Sequence, residues 1–188
     1  MLISLWSWYL VSLFNWQYSY QLKHFPIQYD HINITASGNL LTCIYPTDKS
    51  FKKGSSTFAR SELRSLYEPP GNLPYKFGTD IKALPNGTDY SVWQVFGNGS
   101  PLLMLRHRKG EKQMVVFDGS PKIQTVREFP KECLVDCRAG KVSCGEYISS
   151  GSLKCNESMY FKIGVYAQQV KPKTKMCIEY GSTYYFKL

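Results

Sequence analysis

The segment YFKIGVYAQ, residues 160–168, carries proton-transferring and charged side chains at alternating positions. Successive side chains of a β-strand point to opposite faces, so its apolar and polar residues would separate onto two faces. A phenol can donate or accept a proton, and an ammonium can neutralise negative charge that develops in a reaction. The polar face would hold Tyr160, Lys162, Tyr166 and Gln168.

Two other segments carry polar side chains with the same period. In TFARSELRSLY, the charged residues Arg60, Glu62 and Arg64 alternate with small or apolar residues. In DYSVWQVFG, Gln94 lies on the face opposite Trp93. A guanidinium can bind a carboxylate through two parallel hydrogen bonds, and an amide N–H can donate to the same group. The spacing alone also fits a solvated strand edge with a charge ladder, or one helical turn over SELRSL.

The elements that would position these residues are β-strands. Helical periodicity is weak along the chain, and short alternating runs are separated by turn sequences such as SGN, EPPGN, PNGT and DGS. This pattern predicts an all-β sandwich of antiparallel strands. We expect strands at residues 38–45, 57–67, 77–83, 89–97, 101–108, 112–118, 158–169 and 175–187.

The N-terminal residues and the cysteines indicate export. Residues 1–20 have no charged side chain and are predicted to be a signal peptide, with a retained membrane anchor as the alternative. The six cysteines and four N-x-[ST] sequons fit a disulfide-bonded, glycosylated protein. The cysteine spacing lacks the paired knuckles of a zinc site, so no metal is expected. Residues 21–188 would form one domain, with the cysteine-rich residues 129–156 as a stapled insertion or long loop.

The net charge of +9 favours an anionic partner, which can be nucleic acid, anionic lipid or acidic polysaccharide. Basic residues beside aromatic ones also suit single-stranded nucleic acid, but the predicted export argues against that partner. The basic clusters at 49–54, 106–112 and 171–175 are interpreted as solvated loops that can also attract a polyanion to a neighbouring groove.

The polar segments together resemble the alginate-lyase-2 group, polysaccharide lyase family seven. The family's blocks are R-[TS]-E-L-R, Q-I-[HV] and Y-F-K-A-G-x-Y-x-Q, in that order. Residues 60–64 match the first block fully, residues 160–168 match most of the third, and Gln94 retains the start of the middle block. The resemblance implies a β-jelly roll of two curved antiparallel sheets. A groove across its concave sheet would bind an acidic polysaccharide and cleave it by β-elimination.

The resemblance also implies residue roles. Tyr166 would protonate the departing oxygen and can also serve as the base, while Arg60 and Gln94 would neutralise the uronate carboxylate. Glu62 would orient the neighbouring arginines, and no cofactor is required. We expect nearby cations to favour the phenolate form of Tyr166. Further substrate contacts would come from Tyr160, Lys162, Arg64, Glu62 and Gln168.

The middle block departs from the family at Phe96, where members acting on guluronate usually have a histidine. Phenylalanine cannot move protons, which leaves three outcomes open. Tyr166 can act as both base and acid, which suits a syn elimination on mannuronate or glucuronate; a histidine from another strand can substitute; or the protein can bind glycan without cleaving it. Among the histidines, His107 alternates away from the basic residues beside it, and His24 and His31 lie near the predicted mature N-terminus.

These observations lead us to expect a secreted, extracellular and monomeric polysaccharide lyase that acts on a uronate-containing glycan of the alginate or glucuronan type. It would bind no nucleic acid and would have no stable membrane association after signal cleavage. The alternatives are a non-catalytic acidic-glycan-binding protein on the same scaffold, or a basic extracellular structural protein without a glycan site.

Overall fold

Fourteen β-strands make up the regular structure of the described part of the chain. The computed structural model describes residues 16–18, 32–34, 36–46, 60–65, 73–87, 89–97, 100–118, 120–149, 153, 155, 159–167 and 173–188. No helix occurs among these residues, and accordingly none long and apolar enough to cross a membrane. The strands are β1 (Trp16–Tyr18), β2 (Ile32–Ile34), β3 (Leu40–Ile44), β4 (Arg60–Ser65), β5 (Pro74–Ala83), β6 (Tyr90–Gly97), β7 (Ser100–Arg108), β8 (Glu111–Asp118), β9 (Ser120–Thr125), β10 (Glu132–Asp136), β11 (Lys141–Cys144), β12 (Tyr147–Ser149), β13 (Met159–Ala167) and β14 (Met176–Lys187).

The strands form two antiparallel sheets of seven strands each. The first sheet has the order β1-β4-β13-β6-β7-β8-β9, and the second has the order β12-β11-β10-β5-β14-β3-β2. Strands far apart in sequence are therefore neighbours, and β13 lies between β4 and β6. The predicted all-β sandwich is confirmed.

Alternating apolar side chains build the core between the two sheets. Trp93 and Phe161 point inward from the first sheet, Phe77 points inward from the second, and none is more than 1% exposed. The Phe161 ring lies 5.2 Å from the Trp93 ring, edge to face, and 5.2 Å from the Phe77 ring. Burying one such side chain stabilises the fold by about 1.5–3 kcal/mol. The opposite face of the first sheet is thereby left for polar side chains.

The eight strands predicted from the sequence are all present, with small shifts at their ends, and the structure adds others. β1 lies within the segment predicted as a signal peptide and pairs with β4 at the sheet edge. Residues 129–156, which we expected to form an insertion or loop, contain β10, β11 and β12. Because β10 pairs with β5, this segment extends the second sheet. These strands are too short for their alternation to be recognised in the sequence.

The six cysteines form three disulfides, as their even number predicted. Cys43 bonds to Cys177, linking β3 to β14 at directly opposite positions. The other two, Cys133–Cys144 and Cys137–Cys155, join residues within the segment expected to be stapled. In the chain-entropy description, closing the 134-residue separation between Cys43 and Cys177 stabilises the fold by about 5 kcal/mol, more than either short loop.

A buried hydroxyl also joins the two sheets. Tyr180 on β14 is 0% exposed, and its hydroxyl donates to the carbonyl oxygen of Val92 at 2.5 Å. The hydroxyl oxygen of Tyr180 in turn accepts a hydrogen bond from the backbone N–H of Gly164 at 3.0 Å. Val92 and Gly164 lie where the pairing registers of β6 and β13 shift. The phenol therefore satisfies backbone groups at the irregular part of the first sheet.

Gly164 is required where β13 approaches β4 most closely. Its φ of +138° is a conformation that other residues rarely adopt. A Cβ atom at this position would overlap the carbonyl oxygen of Ser61 and the Cα atom of Glu62. Both obstacles are backbone of the neighbouring strand, which cannot move without disturbing the pairing of β4 with β13.

We expect Gly164→Ala to lower the free energy of unfolding by about 3 kcal/mol or more, because it adds steric overlap to backbone strain. The matched control is Gly110→Ala, at φ +86° with no atom within 4 Å of the added Cβ, which should cost about 1–2 kcal/mol. Urea unfolding measures both values. Equal losses in the two variants would show that the close approach at Gly164 is unimportant.

Candidate active site

The polar segments identified in the sequence lie on three neighbouring strands of the first sheet. Where β13 pairs with β4, Tyr166 is opposite Arg60; where β13 pairs with β6, Lys162 is opposite Gln94. The alternate residues on these strands point into the core, so these side chains share the other face. We call this surface, which points away from the second sheet, the site face; it carries Arg60, Glu62, Gln94, Lys162 and Tyr166.

Glu62 links two of the candidate site residues. Gln94 Nε2 donates a hydrogen bond to Glu62 Oε1 at 2.8 Å, and Arg60 Nη1 lies 3.7 Å from Glu62 Oε2. The Glu62 side chain is only 2% exposed, so a buried carboxylate lies beside a cation. Arg60 Nε and Glu62 Oε2 have no hydrogen-bond partner, which makes this a loose ion pair. The Nε atom of Arg60 is buried, whereas the side chain as a whole is 21% exposed and also hydrogen-bonds Tyr166.

Tyr166 lies against Arg60, whose guanidinium carbon is 4.3 Å from the centre of the phenol ring. Burial raises the pKa of Tyr166; Arg60 opposes this shift and Glu62 adds to it, so the net pKa shift is upward. The net direction differs from our expectation that neighbouring cations favour the phenolate. Burial outweighs the cation, and the buried carboxylate of Glu62 repels a second negative charge. At neutral pH Tyr166 is therefore a protonated phenol.

Phe96, where the sequence departs from the family pattern, belongs to an aromatic pair. Its ring stacks on that of Tyr160, with the centroids 5.0 Å apart and the planes 8° from parallel. Lys162 Nζ lies 4.5 Å from the Phe96 centroid and 5.7 Å from that of Tyr160. Because Lys162 is only 4% exposed, these cation–π contacts help to hold a largely buried ammonium. Phe96 contributes an aromatic surface here and no proton-transferring group.

The site face includes two residues that sequence reasoning did not place there. Ser91 on β6 pairs with Tyr166 on one side and with Arg106 of β7 on the other, forming a row across three strands. Strict alternation along β6 would place Val92 on this face instead. The irregularity between Ser91 and Trp93 inverts this alternation, so that Ser91 lies on the site face, where its hydroxyl donates to Met104 Sδ at 3.4 Å, and Val92 packs in the core. Both residues are 0% exposed. Arg106 lies within β7, inside the strand expected at 101–108, but it is only 8% exposed, whereas the basic cluster 106–112 was interpreted as solvated.

His107 lies away from the site face, as its alternation predicted. It is opposite Tyr90, and the two rings stack with centroids 5.3 Å apart. Burial is the main cause that lowers the pKa of His107. His24, His31 and Gln168 lie outside the described residues, as does the side chain of Arg64. Within the described ranges, no group of three or more His, Cys, Asp and Glu residues could hold a metal ion.

The two charged neighbours should shift the pKa of Tyr166 in opposite directions. We expect Glu62→Gln to lower it, since a neutral amide no longer repels the phenolate yet can still accept the hydrogen bond from Gln94. Arg60→Met should raise it further, because the stabilising cation is removed. Titration of ¹³Cζ-labelled tyrosine by NMR, with Tyr166→Phe for assignment, measures both shifts. Movement in the same direction in both variants would contradict this electrostatic description.

Comparisons with known proteins agree with this arrangement at the level of fold. No protein-family model matches the sequence, and no curated protein matches it. Solved structures do match. A family 7 alginate lyase, A1-II′, in complex with a GGG product, aligns over 84% of each chain with a TM-score of 0.63 and 17% identity.

Two further structures are alginate lyases from named bacteria. The enzyme from Klebsiella pneumoniae aligns over 83% of this chain and 84% of its own, with a TM-score of 0.55 and 11% identity. The enzyme from Alteromonas sp. 272 aligns over 95% of this chain and 96% of its own, with a TM-score of 0.58 and 11% identity. The described part of this chain therefore has the β-jelly roll of the alginate lyases, as the sequence resemblance implied.

Proposed function

We propose that the protein is a secreted polysaccharide lyase that cleaves a uronate-containing glycan by β-elimination. The observation that carries this proposal is the juxtaposition of Arg60, Gln94 and Tyr166 on the site face. It supplies carboxylate-binding groups beside a proton-transferring phenol. The alginate lyase fold and the positive net charge support the same substrate class.

The carboxylate-binding groups address the difficult part of the reaction. The proton on C5 of a uronate is weakly acidic because its removal adds negative charge next to a carboxylate. Arg60, whose side chain is 21% exposed and whose contact with Glu62 is loose, can meet that charge with its terminal N–H groups. Gln94 donates one amide hydrogen to Glu62 and has a second for the substrate carboxylate. Glu62 therefore holds the amide in place as well as orienting the guanidinium.

Tyr166 would then carry the proton. In its phenolate form it removes the C5 proton, the C5–H electron pair forms the C4–C5 double bond, and the C4–O4 bond breaks. The phenol just formed gives the same proton to O4. One group can do both steps only when the C5 hydrogen and O4 lie on the same face of the ring, as in mannuronate and glucuronate. The substrate is therefore proposed to be a polymer of one of these sugars.

The first test is formation of the unsaturated product, followed by its ultraviolet absorbance. We expect product from polymannuronate or glucuronan and less from polyguluronate. Tyr166→Phe should reduce the rate by about 10²–10⁴-fold, because the phenol is lost while the ring remains. Tyr184→Phe, on an exposed tyrosine of the second sheet, is the control and should retain full activity. A Tyr166→Phe variant as active as the wild type would exclude the proposed role.

The pH dependence tests whether Tyr166 is also the base. Since its pKa is raised, the phenolate fraction should increase about tenfold per pH unit up to at least pH 10, and kcat/KM should rise equally. A histidine base would instead make kcat/KM level off above about pH 6.5. A plateau near neutral pH would therefore assign the base to a residue outside the described part, such as His24 or His31.

The second candidate function is binding of acidic glycan without cleavage. The observation that favours it is the aromatic pair of Phe96 and Tyr160. Phe96 occupies the position at which guluronate-specific members of the resembled family usually have a histidine. Retained binding with no product from any uronate polymer would support this alternative. Export is supported by the three disulfides, which persist in oxidising compartments. The signal peptide, glycosylation and a monomeric state remain predictions.

A further inference from the structure

The row of site-face residues continues beyond Tyr166 to a second arginine. Tyr166, Ser91 and Arg106 occupy paired positions on β13, β6 and β7. Neighbouring strands lie about 4.8 Å apart, so the backbones at Tyr166 and Arg106 are about 10 Å apart. Arg60 and Arg106 therefore lie on opposite sides of Tyr166 along one line across the sheet.

The guanidinium of Arg106 is held on the side away from Tyr166. Arg106 Nε donates to Gln113 Oε1 at 3.0 Å, and Gln113 lies on β8, the next strand outward. Gln113 Nε2 in turn donates to Glu111 Oε2 at 3.1 Å, and Thr125 Oγ1 donates to the same oxygen at 3.1 Å. This chain of hydrogen bonds fixes the planar group. It uses Nε, so the terminal nitrogens are available for a bidentate contact.

The charge of Arg106 is poorly compensated within the protein. Its direct contact is a neutral amide, and burial together with the neighbouring Arg108 lowers its pKa, while Asp89 partly compensates. An arginine remains protonated under all ordinary conditions, so this unfavourable environment is relieved by an added anion and not by loss of a proton. A carboxylate ligand would provide the missing negative charge.

We propose that Arg106 binds the carboxylate of a second uronate in the same glycan chain, apart from the sugar held by Arg60 and Gln94. This inference rests on the proposed function. Because Gln113 directs the guanidinium outward, the two arginines are placed for carboxylates on different sugars. The preferred substrate therefore carries uronates at more than one position, and a glycan with a single isolated uronate would lose this contact.

The test compares Arg106→Gln with Arg138→Gln, a matched loss of charge at an exposed residue in the turn between β10 and β11. With Tyr166→Phe as the background of every variant, so that the polymers are not cleaved, calorimetric binding of polymannuronate and glucuronan should weaken about 10–100-fold in Arg106→Gln, and hardly at all in Arg138→Gln. In turnover assays the loss should appear in KM with kcat unchanged, because the contact is the same in ground and transition states.

A second variant avoids removing a largely buried side chain. Gln113→Glu would place a carboxylate against Arg106 Nε and compete with the substrate for its charge, so binding should again weaken. For oligomers, the effect of both variants should be present with two or more uronates and absent with a single uronate. Equal binding by wild type, Arg106→Gln and Gln113→Glu would overturn the proposal.

The outcomes separate this inference from the proposed lyase activity. Binding that depends on Arg106, with no product formed, would overturn the lyase while supporting the second carboxylate site. If product forms and neither its formation nor binding changes when Arg106 is replaced, the lyase activity is supported and the second carboxylate site is overturned. No binding of either polymer by the wild type would overturn both.

Discussion

The hydroxyl of Tyr180 makes the contact on which the geometry of the site face depends. It reaches from the second sheet to Val92 on β6 and Gly164 on β13, the positions where the strand registers shift. Those shifts bring Ser91 beside Tyr166 and Arg106 and turn Val92 inward. Gly164 allows β13 to lie against β4 without steric overlap. The packing of the second sheet against the first and the strand register within the first sheet therefore depend on the same residues.

The electrostatics of the site reflect a balance between burial and neighbouring charges. Glu62 is a buried anion that holds Gln94 and lies near Arg60, and it also opposes ionisation of Tyr166. This keeps the phenol protonated at neutral pH and ready to donate. The same condition makes the phenolate scarce, which is why a single tyrosine acting as base and acid implies a rate that increases with pH. A substrate carboxylate would compensate the charge of Arg60, which the loose contact with Glu62 neutralises only in part.

Much of the fold could be predicted from alternation alone, and the eight strands expected from the sequence show why. An apolar residue at every second position is a local property, and it identifies the strand and its buried face together. The three short strands within 129–156 escaped detection because few residues alternate and the cysteines dominate the pattern. Arg106 was included in a predicted strand, but its burial on the site face was missed because His107, Arg108 and Lys109 gave the segment the composition of a solvated basic turn.

The sequence by itself determined the chemical groups, the spacing of Arg60, Glu62, Tyr166 and their neighbours along strands, and the resemblance that brought Gln94 into the same set. Only the tertiary structure decided that β13 lies between β4 and β6, that a bulge substitutes Ser91 for Val92, and that burial outweighs Arg60 in setting the pKa of Tyr166. The physical reason is the separation along the chain of the residues that set each property. Side-chain periodicity depends on a few consecutive residues, whereas strand neighbours, register and desolvation depend on contacts between residues far apart in the chain.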